Sequence, residues 1–157
     1  MLGYPTQYLL RSGSGEAPFA LVAFDQALIS AGLANYNLLK VSSILPAECM
    51  EAERLELPEG EGSALLVAYG SISSDTPGDL IASAIAVGIP EEIDRVGVIM
   101  EVAGHFDAKT ADEKAREMVR LAMENHGVAL ADIKSSSIEK RVEGGKHGCV
   151  ISALAMW

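Results

Sequence analysis

Cysteine is scarce in this chain. The two that occur, Cys49 and Cys149, lie far apart and form no CxxC pair. That excludes a disulfide framework or a thiolate cluster and leaves two reduced thiols, with Cys149 read as a small core residue in an apolar strand. Histidine is as thin. His105, His126 and His147 sit on separate segments with neither HxH nor HExxH spacing, so no metal is expected. Basic residues are outnumbered, 12 against 22 acidic, for a net charge of −10. Without a basic surface, nucleic acid is not an expected partner, whereas an acidic surface suits a cationic substrate as well as plain solubility. No apolar run has the length of a membrane span: the richest, Leu80 to Ile89, is interrupted by Ser83 and Gly88. A basic stretch followed by an apolar one is missing at the N-terminus, so no signal peptide is expected, and the expected location is cytoplasmic. There is no internal repeat.

What is present is enough for one well-packed domain: 157 residues, 49% of them hydrophobic. Thr6 to Ser12 reads as a strand, and Ser12-Gly13-Ser14-Gly15-Glu16 as a tight turn into a helix, since the P-loop lysine and the full GxGxxG spacing are both lacking. Pro18 suits a first helical turn, and Phe19 to Ala31 reads as a helix stopped by Gly32, apolar on most of its surface and so expected to be covered. Tyr36 to Ser43 reads as a strand ended by Pro46, and Ala47 to Gly62 as a solvated connection. Ala64 to Ser73, Asp79 to Gly88 and Arg95 to Ala103 follow as strands separated by turns. Thr110-Ala111-Asp112-Glu113 has the form of a capping box opening a second helix, with Gly127 at its end. Ile133 to Val142 and Cys149 to Trp157 read as closing strands. Two helices among many strands make an α+β fold with strands in the majority.

Three positions carry chemistry. Asp25 falls on the helical stripe of Leu21, Leu28, Ile29 and Gly32, where an unpaired carboxylate is costly. It needs either a structural partner or a cationic ligand. Glu101 interrupts the apolar strand Arg95 to Ala103. Desolvation there raises a carboxyl pKa, which suits a proton donor, although pairing with an arginine across a subunit contact would also explain it. Ser42-Ser43 ends the apolar run Leu38-Leu39-Lys40-Val41 and is followed by Ile44-Leu45-Pro46. A serine hydroxyl can attack the carbonyl of the residue before it through a five-membered ring, converting peptide to ester. Elimination and hydrolysis then leave a pyruvoyl group on a new chain. The runs Ser73-Ser74 and Ser135-Ser136-Ser137 lack this context and read as solvent or turn positions.

The segment Asn35-Tyr36-Asn37-Leu38-Leu39-Lys40-Val41-Ser42-Ser43-Ile44-Leu45-Pro46 resembles the self-cleavage site of the pyruvoyl-dependent arginine decarboxylases. Gly13-Ser14-Gly15-Glu16, Ala23-Phe24-Asp25, Ile99-Met100-Glu101 and the final Ala155-Met156-Trp157 resemble the same family in the same order. The resemblance implies a four-layer αββα sandwich assembled as a homotrimer or a dimer of trimers, with active sites at subunit contacts. It implies autocatalytic cleavage between Ser42 and Ser43 into a β chain, 1–42, and an α chain, 43–157. The cofactor would be a pyruvoyl group derived from Ser43, with no pyridoxal phosphate and no metal, and the reaction would turn L-arginine into agmatine and CO2. Glu101 would protonate Cα, Asp25 would hold the guanidinium, and Asn37 would assist cleavage at the Ser42 carbonyl. Two departures stand out: Leu33-Ala34-Asn35 replaces a glycine-richer turn, and Ala47 replaces a second proline. Ala34 lies close to the expected substrate pocket, so another amino acid is an alternative substrate. A different class of alternative is an uncleaved trimeric binding or scaffold protein in which Ser43 stays serine.

Overall fold

The computed structural model describes residues 3–157; the first two residues of the expected 1–42 segment lie outside it. In chain order the elements are β1 (Gln7–Ala17), α1 (Ala20–Ala31), β2 (Asn37–Lys40), β3 (Ile44–Leu45), β4 (Met50–Glu51), β5 (Ala64–Ser74), β6 (Leu80–Pro90), β7 (Gly97–Gly104), α2 (Ala108–Asn125), β8 (Leu130–Arg141) and β9 (His147–Met156). They make two sheets, one ordered β2-β5-β9-β1-β4 and the other β3-β7-β6-β8.

Alternation along the strands decides the layering, because successive side chains of a strand leave on opposite faces. In the first sheet Val67, Ile151, Ala153 and Ala155 turn one way, onto Ala23, Ala27 and Ala31 of α1. In the second, Ala82, Ala84, Ala86 and Val98 pack on Ala111, Ala115, Val119 and Met123 of α2. The remaining faces meet each other through Tyr8, Ala68, Ile85, Val87, Ile99 and Leu154. The result is helix, sheet, sheet, helix, the expected αββα sandwich with strands in the majority.

Several expectations change in detail, each for a physical reason. Ser12 to Glu16 is not a turn: β1 continues to Ala17, paired with β9 from Tyr8↔Met156 to Ala17↔His147. Its glycines are there for closeness. A Cβ on Gly13 would stand 2.2 Å from the Ala27 carbonyl oxygen, and one on Gly15 2.5 Å from that of Ala23. Helix α1 therefore rides directly on the β1 backbone through its alanines, and Gly32 ends it in the left-handed region at φ 75°. The apolar residues expected to be covered face outward instead, with Phe19, Leu21 and Ile29 exposed by 71%, 77% and 61%. The strand expected from Tyr36 to Ser43 stops at Lys40. Helix α2 starts three residues earlier than the capping box proposed: Asp107 is its N-cap, accepting from the Thr110 amide at 2.7 Å.

The serines expected at solvent or turn positions in 135–137 lie inside β8. Ser136 shares a 2.7 Å hydrogen bond with Ser12, Ser12 one of 2.8 Å with Ser152, and Ser152 one of 2.8 Å with Ser83. These four hydroxyls satisfy one another across the gap between the sheets, where lone polar groups would be costly.

Candidate active site

The Ser42-Ser43 pair lies where the chain leaves one sheet and enters the other. On its N-terminal side, β2 runs parallel to β5, and the Val41 amide still donates to the Val67 carbonyl at 3.0 Å. On its C-terminal side the Ile99 amide of β7 donates to the Ser43 carbonyl at 2.7 Å, just ahead of the pair Ile44↔Val98. Both flanks of the peptide are thus pinned to different sheets within three residues. Ser42 is exposed and Ser43 half-buried.

Glu101 stands two residues beyond Ile99 on β7, so it shares the face that looks toward the other sheet. Ile85 is opposite it in register on β6. From the facing sheet, Gly70 of β5 makes room: a Cβ there would meet the Glu101 Cβ at 3.2 Å. Burial raises the Glu101 pKa above the ordinary glutamate range, and the positive charge of Lys40 partly opposes that rise. Burial therefore shifts the carboxyl in the proton-retaining direction, on the same strand that anchors Ser43.

Asp25 and Asn37 are not brought to this point by their own chain. Asp25 is exposed on α1, on the outer side of the first sheet, among the uncovered apolar residues of that helix. Asn37 begins β2, and its side-chain amide donates to the Gly62 carbonyl at 2.7 Å. It lies five residues before Ser42, roughly 15 Å of extended chain. Ala34 lines an open hollow of about 310 Å³ together with Ile29, Tyr36, Leu55 and Glu61. Reading the sequence missed Lys40 and Gly70. A lysine set inside an apolar strand next to the Ser-Ser pair was the available signal for the first. Nothing local marks the second. Among the described residues no group of three or more His, Cys, Asp or Glu is placed to hold a metal ion, and no helix is long and apolar enough to cross a membrane.

Comparison with known proteins gives the class first. The fold is similar to a solved pyruvoyl-dependent histidine decarboxylase, with a TM-score of 0.52 at 15% identity over 62% of this chain and 52% of that one. Residues 7–157 match the family described as pyruvoyl-dependent arginine decarboxylase. Relatives of that name include one from Methanocaldococcus jannaschii, 42% identical over 154 residues, 98% of this chain and 90% of that protein. Another, from Pyrococcus abyssi, is 33% identical over 153 residues, 98% of this chain and 96% of that protein. The chain belongs to the pyruvoyl-dependent arginine decarboxylase family, whose members are carboxy-lyases.

Proposed function

We propose that this chain cuts itself between Ser42 and Ser43, giving chains 1–42 and 43–157, and then decarboxylates L-arginine to agmatine and CO2. The observation that carries the reading is the crossover: a Ser-Ser peptide fixed to two sheets, one strand away from a desolvated carboxyl. In the first step the Ser43 Oγ attacks the Ser42 carbonyl carbon and displaces the Ser43 nitrogen, so an ester replaces the amide. Elimination breaks the Cβ–O bond of Ser43 and frees the Ser42 carboxylate. Hydrolysis of the dehydroalanine left behind releases ammonia. The residues fit the group so made: position 43 is half-buried and the Ile99 amide holds its carbonyl.

Once formed, the pyruvoyl group supplies the electron sink that decarboxylation needs. The remaining work falls to ordinary side chains. Glu101, whose pKa burial raises, delivers its proton to the substrate Cα. Asp25 takes the guanidinium, for which a carboxylate offers paired charge-assisted hydrogen bonds. Asn37 donates to the Ser42 carbonyl oxygen during cleavage.

Since Asp25 and Asn37 lie away from Ser43 in their own chain, both act in the site of a neighbouring copy. The assembly is a homotrimer in the cytoplasm with its sites between subunits. The uncovered Phe19, Leu21, Val22 and Ile29 of α1, which surround Asp25, provide the apolar surface such contacts require.

Intact mass under denaturing, reducing conditions tests this directly. Two chains are expected, the longer without a free amino terminus, while Ser43→Ala stays one chain. A purified wild-type protein that remains full-length and does not react with borohydride plus arginine would overturn the reading and favour an uncleaved binding protein.

A further inference from the structure

We propose that Gly70 is a positioning residue for the proton donor: the side chain it lacks leaves the seat that fixes how Glu101 enters the gap between the sheets. This rests on the reading of Glu101 as donor, but the seat does not depend on cleavage. Gly70 lies inside β5, paired with Ser152 of β9. A glycine there weakens a strand, since it loses more backbone freedom on folding and packs nothing, so it needs a local reason. Backbone conformation does not supply one, because the φ of Gly70 is not positive and an L side chain would strain nothing. Space supplies it. A Cβ on Gly70 would stand 3.2 Å from the Glu101 Cβ and 3.4 Å from its Cγ, with the Val102 carbonyl oxygen next at 3.5 Å. The atoms nearest the vacant position are those of the donor itself.

The row of residues around Gly70 shows what a side chain there would otherwise do. Gly70, Ser152 and Ser12 are cross-strand partners in the first sheet and share the face that looks toward the second. Ser12 meets Ser136 at 2.7 Å, Ser152 meets Ser83 at 2.8 Å, and Gly70 meets Glu101. Each position in the row thus takes one polar side chain from the opposite sheet, and the hydroxyl gives way to hydrogen where the incoming side chain is longest. A serine at position 70 would extend the row of hydroxyls, but it would stand where the Glu101 Cβ and Cγ now lie. The fold tolerates a small side chain here and the donor does not. A displaced Glu101 has little choice of direction. Ile85, fully buried, fills the β6 side, while β3 covers β7 at Gly97 and Val98 only, so the carboxyl would swing toward the free edge of β7.

The test compares Gly70→Ala, Gly70→Ser and Gly70→Val in two proteins. The first is full-length protein carrying Ser43→Ala with 13C-labelled glutamate, in which the Glu101 resonances are assigned by their loss in Glu101→Gln. Gly70→Ala should move the Glu101 Cβ and Cγ resonances and leave those of the exposed glutamates in place, whether or not the chain is an enzyme. The second is the processed enzyme, where the loss in kcat should grow with side-chain size to about 10²-fold in Gly70→Val, the cost of misplacing a reacting group by on the order of 1 Å. The KM for arginine and the rate of self-cleavage should stay at parent values. Adding Gly70→Ala to Glu101→Gln should cost no further turnover, because no donor is left to position, whereas a residue that merely supports the fold would cost the same in both backgrounds. If Gly70→Val does not fold, Gly70→Ala and Gly70→Ser carry the same comparison. Unmoved Glu101 resonances, unchanged kcat in Gly70→Ala and Gly70→Ser, or equal losses with and without Glu101→Gln would each overturn the proposal. Full turnover in Glu101→Gln alone would overturn the donor reading, and the resonances would still decide whether the seat exists.

Discussion

Replacing Gly13 with alanine tests the seating of α1 on β1. The added Cβ would stand 2.2 Å from the Ala27 carbonyl oxygen, 2.6 Å from the Ala31 nitrogen and 3.0 Å from the Ala31 Cβ. Two of these are backbone atoms of the same helix, so no rotamer change relieves them. Ordinary contact begins at 3.4 Å, which requires α1 to lift by about 1.2 Å or β1 to bend away from it. Overpacking of this kind costs about 1–3 kcal/mol. The opposing gain from stiffening the unfolded chain is roughly 0.4–1 kcal/mol, so destabilisation wins. For a chain of this size the difference corresponds to a fall of up to about 10 °C in Tm. Thermal and urea unfolding should be measured in the Ser43→Ala background at one protein concentration, so that chain number and assembly stay constant. Gly144→Ala is the control, since its Cβ would meet only a Pro77 carbon at 3.9 Å. If Gly13→Ala unfolded with the Gly144→Ala protein, the close approach of helix to strand would be refuted.

Glu101→Gln should cleave normally while turnover falls by about 10²–10⁴-fold, as expected for loss of a general acid, and steady-state kinetics on the two-chain protein reads this. The same variant should change stability with pH. Because burial raises the folded pKa of Glu101, its stabilising protonation is complete below the unfolded pKa and lost as pH rises through the folded one, so Glu101→Gln should gain on wild type across that window in urea titrations. Asp25→Asn should weaken arginine binding by roughly 10- to 150-fold, the worth of a charged hydrogen bond, without hurting a neutral amino acid if one is accepted. Equal losses for arginine, lysine and a neutral substrate would make Asp25 structural. Co-refolding Asp25→Asn with Glu101→Gln should restore activity that neither has alone, provided the two residues serve one site from different subunits.

Most of the fold was legible because it is written in two-residue alternation. Arg95 to Ala103 shows which side chains face α2 and which face the other sheet, and the structure keeps that division: Val98, Met100 and Val102 go one way, Ile99 and Glu101 the other. The first glycines misled because a Gly-Ser-Gly run also suits a turn, and the reason for them, the backbone of a helix 8 to 18 residues later in the chain, leaves no local trace. Helix α1 misled in the opposite sense. Its alanines make the buried face, and Leu21, Val22 and Ile29 stand on the open one, an inversion that sequence cannot show without knowing what else covers the helix. At the site, Ser42, Ser43 and Glu101 could be picked out as strand residues of the wrong chemistry. Gly70 could not, since its importance comes from the packing of two strands distant in sequence.

The place of β1 gives the proposed cut a consequence for folding order. β1 lies between β9 and β4, and together with α1 and β2 it belongs to the 1–42 segment. While the chain is whole, inserting β1 beside β9 is an intramolecular event. After scission the same insertion requires two molecules to meet, and the 43–157 piece waits with β9 unpaired on one side and the α1 layer missing. Assembly therefore has to come first and scission second. A scissile bond broken early would strand both pieces, whereas one broken late leaves them interlocked. Mature protein unfolded in denaturant should regain its structure at a rate that depends on concentration, and the Ser43→Ala chain at a rate that does not, up to the formation of the protomer. The processed molecule then persists through the slowness of unfolding and not through easy return.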